Sequence, residues 1–402
     1  MKTFKKIAPY AALVLCVTLI IAVVVLISNN NKGKTSIPQA TTLVGNNSTS
    51  EAPTPVPTEE PTTKKPDPIE IDLIAVGDVL THMPVNNSYK VGDTWNYTGA
   101  FAHMTDLIKA ADIAVVNQET ILGGKELGIS GYPNFNAPQE LGDYLVAAGF
   151  NTVLHATNHT LDRNTTGVIN TINFWETKHP DVNVLGISNN PDTPICVADY
   201  KGIKVAMLNY TYSFNGYQLP ADMPYLSNLI DIERITADVN EAKKVADFII
   251  VFPHWGIEYT HTPVESQTTL AKQMADLGVD LVIGAHPHVI QPVEWVEGQN
   301  GHKMLVYYSL GNFISNQDAA PRVLGGMASV TIIKDENETK IKEYDIIPLV
   351  THYENGGGHT VYTLDSYTEE LAKRHRMNLL DSNFSFTYLK NTAKTVFAGL
   401  YE

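Results

Sequence analysis

Asp78, the Asn117/Glu119 pair, the Asn158/His159 pair, His254 and the His286/His288 pair share a position in the sequence. Each follows an apolar, β-rich run at the point where the run gives way to small and polar residues. Carboxylate and amide oxygens and imidazole nitrogens are donors for divalent cations such as Mn, Fe or Zn. A Cys-rich zinc site and a disulfide framework are excluded, because the chain holds two cysteines, Cys16 and Cys196. Taken alone, a His after a strand is usually a hydrogen-bonded structural residue, and an Asp after Gly a turn residue. Donors on five successive strand ends are what point to one site. His286 and His288 flank Pro287, and an i, i+2 pair in extended backbone would send both rings to the same side.

The elements that must position these groups follow from the hydrophobic period. Runs at 69–78, 111–119, 150–159, 246–256 and 279–288 read as strands, and helical periodicity separates them at 101–111, 138–148 and 264–277. Strands apolar on both faces with helices between them predict an α/β layered fold, in which ligands collect beyond the carboxyl ends of the strands. Further strands near 204–212, 303–309, 327–334 and 340–349 read as hairpins, so the sheets are expected to be mixed. Residues 351–402 read as a loop followed by helices.

The blocks "AVGDVL", "VVNQE", "LHATNHTLD", "FPHWGIEY", "IGAHPHVIQP" and "YYSLGNFI" stand in the order found in the CapA family of capsule-synthesis proteins, which are linked to poly-γ-glutamate, and the chain resembles that family over 69–350. The family in turn resembles the calcineurin-like metallophosphoesterases. This resemblance implies an αββα sandwich with two divalent cations at the strand ends. It implies that Asp78, Glu119, Asn158, His254, His286 and His288 hold metal, with Glu119 as a candidate bridge, and that His159 is an acid or transition-state donor. His159, hydrogen-bonded to Asp162, would protonate the leaving oxygen while the cations activate water and neutralise phosphoryl charge. Asp162 reads equally well as a helix N-terminal residue complementing the dipole. Asn117 and Asn312 are further candidates. Metallophosphoesterases carry Asp-x-His in the first block, whereas here the residue two before Asp78 is Val76 and the one two after is Leu80; His82 is a candidate for the missing imidazole.

Outside this body, Lys2, Lys5 and Lys6 precede an apolar run at 7–27, long enough at 1.5 Å per residue to span roughly 30 Å. It reads as an uncleaved membrane anchor (1–28) with the body outside, a cleaved signal being the alternative. The Pro/Thr/Ser-rich stretch at 29–68 reads as a disordered linker. With 28 Lys+Arg against 43 Asp+Glu, the chain has the wrong sign for nucleic acid. The expected partners are a lipid bilayer, membrane subunits of polymer synthesis, and an anionic polymer or phosphate ester. Two functions follow: synthesis or export of poly-γ-glutamate or a related envelope polymer, or surface hydrolysis of a phosphate ester. The turn at Lys201 and Gly202 and the loop at 213–228 are candidates for a lid over the crevice.

Overall fold

A computed structural model describes residues 67–402. The expected anchor and nearly all of the linker lie outside the described residues, and among the described residues no helix is long and apolar enough to cross a membrane. The body is an α/β fold of two mixed sheets. In the eight-stranded sheet, Ile69–Val79 is central. Ile113–Asn117, Thr152–Leu154 and Asn183–Leu185 follow in parallel on one side, while Leu324–Lys334, Thr339–Glu354 and Gly357–Thr363 run antiparallel on the other. The six-stranded sheet runs Val293–Glu297, Lys303–Tyr307, Leu281–Ile283, Phe248–His254, Ile203–Thr211 and Cys196–Tyr200, with both edge strands antiparallel.

Alternation along the strands builds the layers. Leu73, Ala75, Ile113 and Val115 of the first sheet pack on Val205, Met207, Ile250 and Phe252 of the second, forming a core between the sheets. Ile74, Val76, Ala114 and Val116 face the other way, against Leu141, Leu145, Phe174 and Trp175 of the helices Glu140–Ala148 and Asn164–Lys178. Ile249 and Val251 meet Ile235, Val239 and Met274 of the helices Ile232–Val245 and Glu265–Asp276. Side chains one residue apart thus serve different cores, which is why these strands are apolar on both faces. Asn209 stitches the sheets together near the site: its Oδ1 accepts from Ala156 N–H and its Nδ2 donates to the Phe252 carbonyl, both at 2.8 Å.

The chain beyond 350 belongs to the same body. Gly357–Thr363 extends the first sheet, and Leu364, Met377, Leu389 and Phe397 join the core between the sheets. The sequence reading of a loop plus helices missed that strand, because the Gly-rich turn before it masks a hairpin. Lys201 and Gly202 do not lie over the Asp78 strand ends: the Lys201 ammonium reaches Asp112 and the Glu70 carbonyl, at the opposite end of the central strands from Asp78.

Two buried histidines make this fold acid-sensitive. His155 Nε2 accepts from the Trp175 indole N–H at 2.8 Å, and His375 Nδ1 accepts from Met377 N–H at 2.9 Å. Burial lowers His155 to about 3 and His375 to about 4. The unfolded chain takes up those protons near pH 6.5 while the folded one does not, so stability should fall as pH drops below 6.5. The expected slope is up to about 1.4 kcal/mol per pH unit for each histidine. Calorimetry at pH 7, 5.5 and 4.5 should show the thermal midpoint decreasing in that order.

Candidate metal centre

Register in the first sheet explains the first half of the site. Ile69–Val79 pairs in parallel with Ile113–Asn117 on one side and with Asn312–Ile314 at its carboxyl end, placing Asp78 opposite both Asn117 and Asn312. Parallel pairing brings strand ends to one edge, so three buried polar side chains meet there. Asn117 Nδ2 donates to Asp78 Oδ1 at 2.7 Å; Asp78 Oδ2 lies 3.0 Å from His288 Nδ1, and Asn312 Oδ1 lies 3.1 Å from the same nitrogen. The second half comes from the other sheet. His254 ends its strand, and a bridge to Ala285 sets the 284–288 turn beside it. His286 and His288 have φ of 99° and 58°. The extended backbone expected for this pair is therefore absent, and a strained turn instead aims the rings at one centre, with centroids 5.8 Å apart.

Glu119 stands in the middle. Its Oε1 is 3.7 Å from His254 Nε2, 3.7 Å from His288 Nε2 and 4.0 Å from His159 Nε2. These separations are too long for hydrogen bonds. They match two donors that each lie about 2.1 Å from a shared ion and so stand roughly 3 to 4 Å apart. Both Glu119 oxygens and His286 Nδ1 are buried with no hydrogen-bond partner among the described residues, a costly arrangement unless a ligand completes it. Donors from Glu119, His254 and His286 gather within 4.8 Å of one another, as do those from Asp78, Glu119 and His288. Asn158 Oδ1 adjoins the first group, 2.9 Å from His254 Nε2. Hard oxygens mixed with imidazoles suit a first-row divalent ion, and these residues fit one.

Electrostatics ready two of the imidazoles for ligation, whereas His288 must give up a proton to ligate. Burial, reinforced by neighbouring imidazoles, holds His254 and His286 well below their ordinary range, so both stay neutral and able to ligate. Burial raises Glu119 well above the usual carboxylate range. His288 goes the other way: burial alone would lower it, but the Glu119 and Asp78 carboxylates outweigh burial and hold it up at about 9.

His159 and His82 rim an open cavity of about 710 Å³, and Asp162 lies buried behind His159. His159 Nδ1 lies 2.7 Å from Asp162 Oδ2, which also accepts from Phe135 N–H, and the helix that follows starts at Asn164. Asp162 is thus seen holding an imidazole. His82 lines the cavity, with Nδ1 directed 3.0 Å from the Leu80 carbonyl and its ring edge-on to Phe135. Of the expected lid, Asn215 contacts Asn158 and His159, and Tyr217 lines the cavity. The sequence reading missed Glu258, whose carboxylate approaches His286 and His288, and Arg322, whose guanidinium lies 3.6 Å from the Tyr259 ring centroid. Trp255, Tyr307 and Tyr308 are buried in the core, whereas Tyr259 lines the cavity.

The model of the bacterial capsule synthesis protein PGA_cap matches residues 72–317, more than half of the chain and every strand end named above except those after 317. The chain belongs to the PGA_cap family. Over 169 residues, 41% of this chain and 43% of the relative, it is 34% identical to the PGA biosynthesis protein CapA of Bacillus subtilis (strain 168). Over 62% of this chain and 60% of the relative it is 27% identical to the capsule biosynthesis protein CapA of Bacillus anthracis. The chain therefore spans about half the length of these curated relatives. Among solved structures, the calcineurin-like phosphoesterase YfkN from Bacillus subtilis is similar with a TM-score of 0.40 and 14% identity, over 82% of this chain and 97% of that one.

Proposed function

We propose that this PGA_cap protein takes part in synthesis or export of poly-γ-glutamate or a related anionic envelope polymer, and that it carries a two-cation centre whose shared ligand is Glu119. In this reading residues 1–28 anchor the chain in the membrane, with the body on the outer surface beside membrane subunits that assemble the polymer. Family membership supports the polymer. The observation that carries the metal centre is Glu119, fully buried, with neither oxygen hydrogen-bonded among the described residues and three imidazoles around it. Asp78, Glu119 and His288 would hold one cation, and Glu119, Asn158, His254 and His286 the other. Bound divalent cations would lower the pKa of water and neutralise charge on a substrate oxygen. Restoring a capsule-forming host that lacks this gene tests the reading. The wild-type gene should return the polymer and His286→Ala should not; full restoration by His286→Ala would contradict a role for the centre.

The His159–Asp162 pair favours a second reading, hydrolysis of an envelope phosphate ester. Asp162 fixes one ring nitrogen, leaving Nε2 facing Glu119 and positioned to give a proton to a leaving oxygen. With p-nitrophenyl phosphate and Mn²⁺, His159→Gln is expected to lower turnover about a hundredfold while retaining the metal content of the wild type. Unchanged turnover would remove His159 from the acid role.

A further inference from the structure

The turn after His254 carries a carboxylate, Glu258, that the sequence reading gave no role. Trp255 N–H donates to the Ala285 carbonyl at 3.1 Å and Tyr259 N–H donates to the Pro287 carbonyl at 2.8 Å, so residues 255–259 are clamped at both ends along the turn that bears His286 and His288. Two backbone positions inside the clamp are left-handed. Gly256 has φ of 96°, and a Cβ there would come within 2.7 Å of the Gln267 carboxamide; Tyr259 has φ of 68° although it is not glycine. Such backbone persists where surrounding contacts fix it. The result is that the Glu258 carboxylate, His286 and His288 offer donor atoms within 4.8 Å of one another.

His286 belongs to one of the two donor groups around Glu119 and His288 to the other. A carboxylate within reach of both stands across the pair. Glu119 spans the same two groups from beneath, where it is fully buried, whereas Glu258 is exposed and lines the cavity. We propose that Glu258 is a second bridging carboxylate, closing the two-cation centre from the cavity side opposite Glu119. This rests on the two-cation reading above. Being exposed, Glu258 is the ligand that an entering oxyanion meets first and can displace without disturbing the buried donors.

The test is Mn²⁺ titration of the purified full-length chain by calorimetry, with electron paramagnetic resonance of the loaded protein. Wild type is expected to bind two Mn²⁺ with an exchange-coupled spectrum. Glu258→Gln and Glu258→Ala should weaken binding about tenfold or more and diminish the coupling, with the thermal midpoint of the metal-free protein unchanged. Variants that bind two ions as tightly as wild type would overturn the bridging role of Glu258 and leave the centre intact. A wild type that binds fewer than two ions would overturn the two-cation reading itself, and Glu258 with it.

Discussion

Glu119→Gln is expected to raise the thermal midpoint of the metal-free protein while destroying its capacity for divalent cations. The two effects share one cause. Glu119 is completely buried, and neither oxygen has a hydrogen-bond partner among the described residues. Burial and the nearby Asp78 carboxylate both oppose its charge, with only His288 in its favour. A carboxyl group whose pKa is raised on folding costs stability that begins once pH exceeds its unfolded value and grows as pH rises toward the folded one, so at neutral pH the wild type carries part of this penalty. Gln keeps the shape and removes the charge, and should recover about 1 kcal/mol or more. It also removes the buried donor shared by the Asp78/His288 and His254/His286 groups, so affinity should fall on the order of a hundredfold at each. Scanning calorimetry with and without Mn²⁺ checks both at once. A midpoint that falls without metal, or a metal-induced rise that survives the substitution, would contradict this account of Glu119.

Gly77→Ala should be the most damaging single methyl in the body. A Cβ at 77 would lie 1.8 Å from the Gly311 carbonyl oxygen and 2.9 Å from its carbon. Those are backbone atoms, which cannot rotate aside. The same carbonyl accepts from Asp78 N–H at 2.9 Å, so moving it breaks the contact that brings the 310–314 segment against the central strand. Asn312 rides on that segment and touches His288. The expected cost is about 3 kcal/mol or more, seen as a midpoint lowered by about 5 °C or more, together with weakened metal binding through misplaced Asp78 and Asn312. A stable Gly77→Ala protein with wild-type metal affinity would show that this close approach positions nothing.

The strand ends were legible because their signal is local: an apolar run that stops at Asp78, Glu119, His159, His254 or His288 reports its own end. Lateral pairing is not local. Nothing near Asn312 announces that its strand lies beside Asp78, since that register is set by the two-sheet core and the close approach at Gly77 and Gly311. Glu258 escaped notice for a related reason. It sits in an exposed turn with no strand pattern, and only the clamp to 285 and 287 turns it toward the histidines; its place four residues after His254 was the available signal. The His286/His288 pair was found by residue type, but its extended geometry was not, because tight packing around Gly284, whose Cβ would meet the Tyr308 carbonyl at 2.1 Å, forces the turn. The hairpin at 354–357 was hidden by its glycines, which read as loop until the 339–354 strand beside them gives them a partner.

The central claim is that Asp78, Glu119, His254, His286 and His288 converge on cations, and anomalous scattering from crystals grown with Mn²⁺, measured on both sides of the metal edge, tests it most directly. Two peaks about 3.5 to 4 Å apart are expected, one on each side of Glu119, with His288 and Asp78 at one and His254 and His286 at the other. Absence of any anomalous peak near Glu119 in metal-saturated crystals would contradict it.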